Sequence, residues 1–422
     1  MNILNRWLPS LSIFLLLSGC EPQHSTQASA ERPVSTAPLA TADVAAKPAG
    51  PVRDTVDLMR AYDRRSGPRD SLIAIGARHY RLSVRVETDS TKPIYFGPAS
   101  GVGGAFAAPG DSARRAGQVR GFAETYTFTL RDSLARQLIF RRQLHKPDFY
   151  AVENRDVVTV MNMEPPGYLG YSAALDALVF VCYLGIPYSD VGSQATLLLD
   201  RRGRVQRLSP GGAAFSDAPD CDPRISPSGR SVLTCSEVLR AGRPPLSLKK
   251  PHAQLRAARF LSDTTLLVVY EYGDYVALPA SPHDEADNGP NVTAPMTNYD
   301  FVTTPAQRRL PTAFIMSTSG HILRRFRLVP DMELASFLAR AWMRGAGAYL
   351  LVEANNKVLV VPKAHPENLF EISLKKLHRF RPPLRPHEQA YAVASSFTRL
   401  RFYVDTLNPR EMRVEPLPPP KD

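Results

Sequence analysis

Apolar residues over positions 53–422 fall into short runs separated by polar turns, a pattern of strands rather than helices. Strands are predicted at HYRLSVRVE (79–87), ETYTFTL (124–130), RQLIFRR (136–142), ALVFVCYL (177–184), TLLLD (196–200), TLLVVYEY (265–272), AFIMS (313–317), AYLLVEA (348–354), KVLVVP (357–362) and RLRFYVD (399–405). Val, Ile, Leu, Tyr and Phe dominate them, as pleated, half-buried surfaces favour. Helical spacing is confined to VRDTVDLMRAYD (53–64) and DMELASFLAR (331–340). The 38 prolines suit a chain of short strands and turns.

Two hairpins repeat one pattern. LLLDRRGRVQRL (197–208) aligns with FIMSTSGHILRRF (314–326): an apolar strand, a polar turn ending in Gly203 or Gly320, and a basic second strand. Glycine suits the positive φ such turns require. A second pattern joins two strands by a tight turn. It occurs at GYSAALDALVFV (170–181), PRISPSGRSVL (223–233), ARFLSDTTLLV (258–268), AWMRGAGAYLLV (341–352) and VASSFTRLRFYV (393–404), with leading anchors Tyr171, Ile225, Phe260, Trp342 and Val393. The anchors are separated by 54, 35, 82 and 51 residues. If the longest gap hides one copy, the mean interval is about 44 residues, the period of four-stranded propeller blades. The SPSG turn resembles the SPDG-type turn of β-propeller repeats. The expectation is therefore an all-β, β-propeller-like body of about seven irregular blades. The alternative is two successive antiparallel β-sandwich domains divided near 210–220. Residues 93–120 and 279–311 read as long insertions without strand character; loops of that length in a compact body are functional or disordered.

The N-terminus has its own pattern. Arg6 precedes LPSLSIFLLL (8–17), too short to span a bilayer as a helix, and then Leu17-Ser18-Gly19-Cys20. This L-S-G-C sequence resembles the lipobox of bacterial lipoproteins. The resemblance implies removal of residues 1–19 and acylation of Cys20, which would tie the chain to a lipid membrane. Several acyl chains on one residue make a stable anchor. In the family it resembles, Asp after the cysteine tends to retain the chain in the inner membrane; Glu21 stands there instead, so the resemblance implies the outer membrane, with its face left open. Residues 20–52, rich in Ala, Pro, Ser and Thr, bury too little to repay the entropy of ordering and read as a tether of about 30 Å as a coil. Residues 53–422 form the β-rich body.

Export permits disulfides. If Ser226–Arg230 form a hairpin loop, Ile225 faces Ser231 and Cys221 falls opposite Cys235, so these two are expected to pair. Cys182, inside an apolar strand, reads as buried. The formal charge is +12. Basic runs at Arg141-Arg142, Arg201-Arg202-Gly203-Arg204, Lys249-Lys250, Arg324-Arg325-Phe326-Arg327 and Lys375-Lys376 make a basic rim that suits anionic lipid or glycan, or simply guards exposed sheet edges. Nucleic acid is not expected outside the cytoplasm.

Candidate chemistry is sparse. Asp217, Asp220 and Asp222 before the SPSG turn, and His283, Asp284, Glu285, Asp287, Asn288 and Asp300 in the second insertion, are weak metal candidates whose spacing matches no EF-hand; acidic turns and a solvated acidic loop are the favoured explanation. Gly101, Gly103 and Gly104 open no helix, as a phosphate cradle must. HEQAY (387–391) lacks the second histidine of a zinc-protease helix, and no G-x-S-x-G elbow is present. No metal or cofactor is therefore expected. The expected role is a non-catalytic binding or scaffold module of the envelope. A propeller-type glycan hydrolase or lyase, which would need clustered carboxylates, and a structural envelope-assembly component are the alternatives.

Overall fold

The protein is described by a computed structural model covering residues 70–97, 119–186, 192–213, 219–277, 299–328, 338–353, 356–394 and 399–418. The predicted signal and tether, the predicted helix at 53–64 and Gly101–Gly104 lie outside these residues.

Six four-stranded sheets follow one another along the chain. The first comprises β1 (Asp70–Ile75), β2 (Arg78–Phe96), β3 (Val119–Asp132) and β4 (Leu138–His145). A short helix, α1 (Arg155–Val160), leads to the second: β5 (Asn162–Ser172), β6 (Ala177–Gly185), β7 (Gly192–Asp200) and β8 (Val205–Ala213). The third is β9 (Arg224–Ile225), β10 (Ser231–Leu233), β11 (Glu237–Arg240) and β12 (Arg243–Ser247). In the fourth, β13 (Ala253–Phe260) and β14 (Thr265–Tyr272) are followed by an inserted hairpin, β15 (Asp274–Ala277) and β16 (Tyr299–Val302), before β17 (Ala313–Ser317) and β18 (Ile322–Phe326) complete the sheet. The fifth is β19 (Ala339–Met343), β20 (Ala348–Val352), β21 (Lys357–Pro362) and β22 (Phe370–Ser373). In the sixth, β23 (His378–Arg379) precedes β24 (Glu388–Ala394), β25 (Arg399–Asp405) and β26 (Met412–Pro416), yet pairs parallel to β26 as the edge strand. Every other pairing between these strands is antiparallel and joins neighbours within a sheet, the meander of a propeller blade.

The second strands explain why the sheets stack. Successive residues of a strand point to opposite faces. In β6, Leu178, Phe180, Cys182 and Leu184 join a cluster with Phe128 and Tyr126 of the first sheet. Ala177 and Val179 face the other way, onto Val232 and Leu239 of the third. In β14, Leu266 and Val268 pack with Leu233 and Val238 of the third sheet, while Leu267 and Val269 pack with Leu351 and Leu359 of the fifth. Val358 and Val360 of β21 then meet Phe402 and Val404 of the sixth. Each inner sheet is thus buried on both faces, so its central strands read as unbroken apolar runs. A two-layer sandwich would bury one face only. The cluster joining the second and third sheets also crosses the 210–220 region where a sandwich boundary was the alternative. The fold is all-β and β-propeller-like.

The tight turns of the second pattern are the first hairpins of the second to sixth sheets. Tyr171 pairs with Leu178, Ile225 with Val232, Phe260 with Leu266, Trp342 with Tyr349 and Val393 with Leu400. Hydrogen bonds link these turns from sheet to sheet. Ser172 Oγ donates to Gly229 O at 2.6 Å, Ser228 N to Asp263 Oδ1 at 2.5 Å, and Tyr349 OH to Leu261 O at 3.1 Å.

The twin hairpins have one geometry. Gly203 N donates to Asp200 O and Gly320 N to Ser317 O, both at 2.9 Å, with φ of 78° and 92°. A Cβ on Gly203 would lie 2.6 Å from the Phe140 ring of β4, and one on Gly320 2.9 Å from Leu246 of β12. Each glycine therefore makes its turn and also lets that turn close on the edge strand of the preceding sheet.

Four expectations change. Six four-stranded sheets are described where the spacing predicted about seven blades: the 82-residue gap holds the β15–β16 insertion, not another copy. Leu338–Arg340 enters β19 instead of ending a helix; 331–337 lies outside the described residues. Strands β2 and β3 run into the 93–120 insertion as far as the Phe96–Val119 pair, and β16 lies inside 279–311. Finally, Ile225 faces Val232 and not Ser231.

Candidate functional site

Of the predicted site residues, Cys20, Asp217, His283, Asp284, Glu285, Asp287 and Asn288 lie outside the described residues. Asp220 and Asp222 are placed. Asp220 sits on the free edge of β13, where its amide donates to Arg256 O (2.8 Å) and its carbonyl accepts from Ala258 N (3.2 Å). Its buried carboxylate meets Arg340 Nη1 at 2.5 Å, Leu338 N at 2.9 Å and Arg259 Nη2 at 3.5 Å. Burial pushes this carboxyl up, and Arg259, the Leu338 amide and Arg224 pull it back. Asp222, more exposed, lies 4.0 Å from the same Arg259. Two guanidiniums and an amide occupy the oxygens a cation would need, so Asp220 is an interstrand clamp and not a metal ligand. It ties the first strands of the fourth and fifth sheets to the segment entering the third. No group of three or more His, Cys, Asp or Glu able to hold a metal occurs among the described residues.

Cys221 and Cys235 are joined by a disulfide, with Cα atoms 5.7 Å apart. They are not directly opposed on a ladder. In the observed register Cys221 would face Ser236, and Cys235 reaches back because it leaves β10 with φ of 71°. Cys182 is buried, and burial raises its thiol pKa well above the usual range.

The residues that sequence reasoning missed lie around the insertion in the fourth sheet. β14 ends at Tyr270–Tyr272, and β15–β16 then folds back beside it. A 3-10 turn (Gln307–Arg309) returns the chain to Thr312 and β17. Between these pieces and the end of β18 is a cavity of about 450 Å³. Its walls include Tyr270, Tyr272, Phe301, Asp300, Arg308 and Arg327. The fixed parts are braced by the sheet. Tyr270 OH donates to Leu248 O at 2.8 Å, and burial, then the neighbouring Tyr272, pushes its hydroxyl up to about 12. Thr303 Oγ1 donates to Tyr272 O at 2.8 Å, and Thr312 Oγ1 to Leu328 O at 2.7 Å. Glu271 accepts both Nε and Nη2 of Arg256, whose guanidinium lies over the Phe301 ring. Behind the wall, Lys250 Nζ lies 4.4–5.3 Å from the ring centroids of Phe314, Tyr272 and Tyr270. In contrast, Arg308, Arg327 and Asp300 form no ion pair or side-chain hydrogen bond among the described residues. The insertion's length and the Arg324–Arg327 run were the available signals; nothing in the spacing set Arg308 and Phe301 beside Arg327.

The basic runs lie on or beside edge strands. Arg141 and Arg142 are on β4, Arg207 on β8, Arg243 on β12, Arg324 and Arg325 on β18, Lys375 and Lys376 just after β22, and Arg379 on β23. Lysine and arginine at such positions keep unpaired sheet edges from pairing with other chains.

No protein-family model matches the chain, and no curated protein sequence matches it. Among solved structures, the chain is similar to a eukaryotic initiation factor, at 8% identity and a TM-score of 0.28 over 70% of this chain and 75% of that one. It is also similar to the Myceliophteria thermophila Cps50 (Swd1) β-propeller domain, at 10% identity and 0.21 over 54% and 83%. The Neurospora crassa Pan2 WD40 domain gives 11% identity and 0.22 over 60% and 75%. At these scores the likenesses add nothing to the fold read from the sheets.

Proposed function

We propose that the protein is an exported, lipid-anchored binding module of the bacterial envelope, held to the outer membrane through acylated Cys20 and using the cavity in its fourth sheet. The observation that carries the binding role is that cavity: an insertion between two neighbouring strands builds a braced, partly aromatic pocket at whose rim Arg308, Arg327 and Asp300 stand exposed and without ion-pair partners among the described residues. Pockets of about 300–1,000 Å³ lined by aromatic side chains with a few polar groups are the usual form of small-molecule sites. The L-S-G-C sequence supports the address.

Mass spectrometry of the chain isolated from its own membranes tests both parts. A first residue Cys20 carrying lipid, and a small molecule retained by the chain under native conditions, are expected; Cys20→Ser should move the chain to the soluble fraction. An unmodified Cys20 contradicts the anchor, and a chain carrying nothing contradicts the binding role.

A second reading rests on the basic edge strands: the perimeter docks on an anionic membrane. Salt-dependent pelleting with anionic liposomes, lost on Arg324→Glu/Arg325→Glu, supports it. Binding indifferent to salt dismisses it.

A further inference from the structure

We infer that the cavity of the fourth sheet binds an anionic sugar, a ring carrying a carboxylate or a phosphate. This rests on the binding-module reading and names the ligand class. The argument is one of matching. Two guanidiniums and one carboxylate line the cavity without partners among the described residues, while the fourth charge, Glu271, is satisfied by Arg256. The unmatched charge is therefore one positive unit. A wholly apolar ligand would take water from Arg308, Arg327 and Asp300 and return nothing, which is costly for charged groups. A bare inorganic anion would satisfy the arginines but leave Phe301 and most of the 450 Å³ to water. An anionic sugar meets both demands. Its carboxylate or phosphate suits the planar fork of guanidinium donors. Its ring hydroxyls donate to Asp300, and its C–H face lies on Phe301.

The ring of bonds around the cavity supports a preformed site. Thr303 and Thr312 are fixed to backbone carbonyls of Tyr272 and Leu328, Gln307 Oε1 accepts Thr304 N at 2.8 Å, and the Phe301 ring stands edge-on to Tyr275 with centroids 5.2 Å apart. The walls are then already ordered, and only the exposed side chains of Arg308, Arg327 and Asp300 remain to be fixed when a ligand enters.

The test is calorimetric titration of the full chain bearing Cys20→Ser with galacturonic acid, glucose 1-phosphate, galactose and inorganic phosphate. Saturable binding of galacturonic acid, glucose 1-phosphate or both is expected, weakening with salt. Arg308→Ala/Arg327→Ala should weaken it at least tenfold without moving the melting temperature. Phe301→Ala should weaken the sugar acids while leaving any residual binding of inorganic phosphate unchanged. Binding of only one anionic sugar identifies the anion as carboxylate or phosphate. The inference is overturned if neither anionic sugar binds, if galactose binds as tightly as galacturonic acid, if inorganic phosphate binds as tightly as the sugar phosphate, or if the double variant binds undiminished. A neutral molecule retained by the native chain would overturn it while leaving the binding role standing.

Discussion

Arg340 and Arg327 lie near strand ends in neighbouring sheets, thirteen positions apart in the chain, but they do opposite things. Arg340 is buried, and its guanidinium grips Asp220 and the Leu338 carbonyl (2.8 Å). Arg327 is exposed beside a cavity and grips nothing among the described residues. The same contrast separates Lys146, buried against Glu124 at 3.2 Å and pointing at Thr159 O, from Arg308. In the first of each pair, charge is structural: desolvation is offset by a fixed partner, and the partner is what joins one element to the next. In the second, charge is left in reserve. Which side of this division an arginine falls on depends on the strand its partner comes from, not on its own sequence neighbours.

Stripping a structural charge has the largest expected effect. Asp220→Ala takes the carboxylate from the buried Arg340 and the half-buried Arg259, and breaking a buried pair costs about 3–5 kcal/mol. Urea unfolding should show that loss with an unchanged slope. A loss below about 1 kcal/mol would mean the clamp holds nothing. Next, Cys221→Ser/Cys235→Ser should lower stability by about 3 kcal/mol for so short a loop, read the same way. Gly320→Ala forces a Cβ into an unfavourable φ and against Leu246, at about 1–3 kcal/mol; Gly203→Ala should behave alike against Phe140.

A further test uses pH. Hydrogen bonds from Arg413 hold the Glu388 carboxyl below its usual range. Because the folded value is the lower one, this stabilisation is complete above the unfolded carboxylate pKa of about 4.3 and is lost as pH falls through the folded value. Melting temperatures between pH 6 and pH 3 should fall less steeply in Arg413→Met than in the wild type. Equal slopes would mean that the Glu388–Arg413 pair adds nothing to acid sensitivity.

Much of the fold was legible because strand periodicity and tight turns are local. The anchors Tyr171, Ile225, Phe260, Trp342 and Val393 each begin the first hairpin of a sheet, and the twin Gly203 and Gly320 turns share one hydrogen-bond pattern. What was not legible depends on distance in sequence. The long gap after Phe260 looks the same whether it holds a blade or an insertion, and only the hydrogen bonds from β14 to β17 decide. The Cys221–Cys235 pairing was read from a register one residue out, because the turn closes between Ile225 and Val232; the pairing holds, with Cys235 turned back by its positive φ. Asp220 looked like a metal candidate since its arginines, Arg259 and Arg340, lie 39 and 120 residues away. The cavity was missed altogether: Arg308 and Arg327 belong to no periodic pattern, and only their shared position beside Phe301 gives them meaning.

The most direct measurement is the stability of two arginine variants set side by side. Urea unfolding of Arg340→Met should show a loss of about 3–5 kcal/mol, since it leaves Asp220 buried beside a lost partner. Arg308→Ala/Arg327→Ala should stay within about 0.5 kcal/mol of the wild type, as surface changes away from packed features do. A comparable loss in both would contradict the division between structural charge and charge held for a ligand.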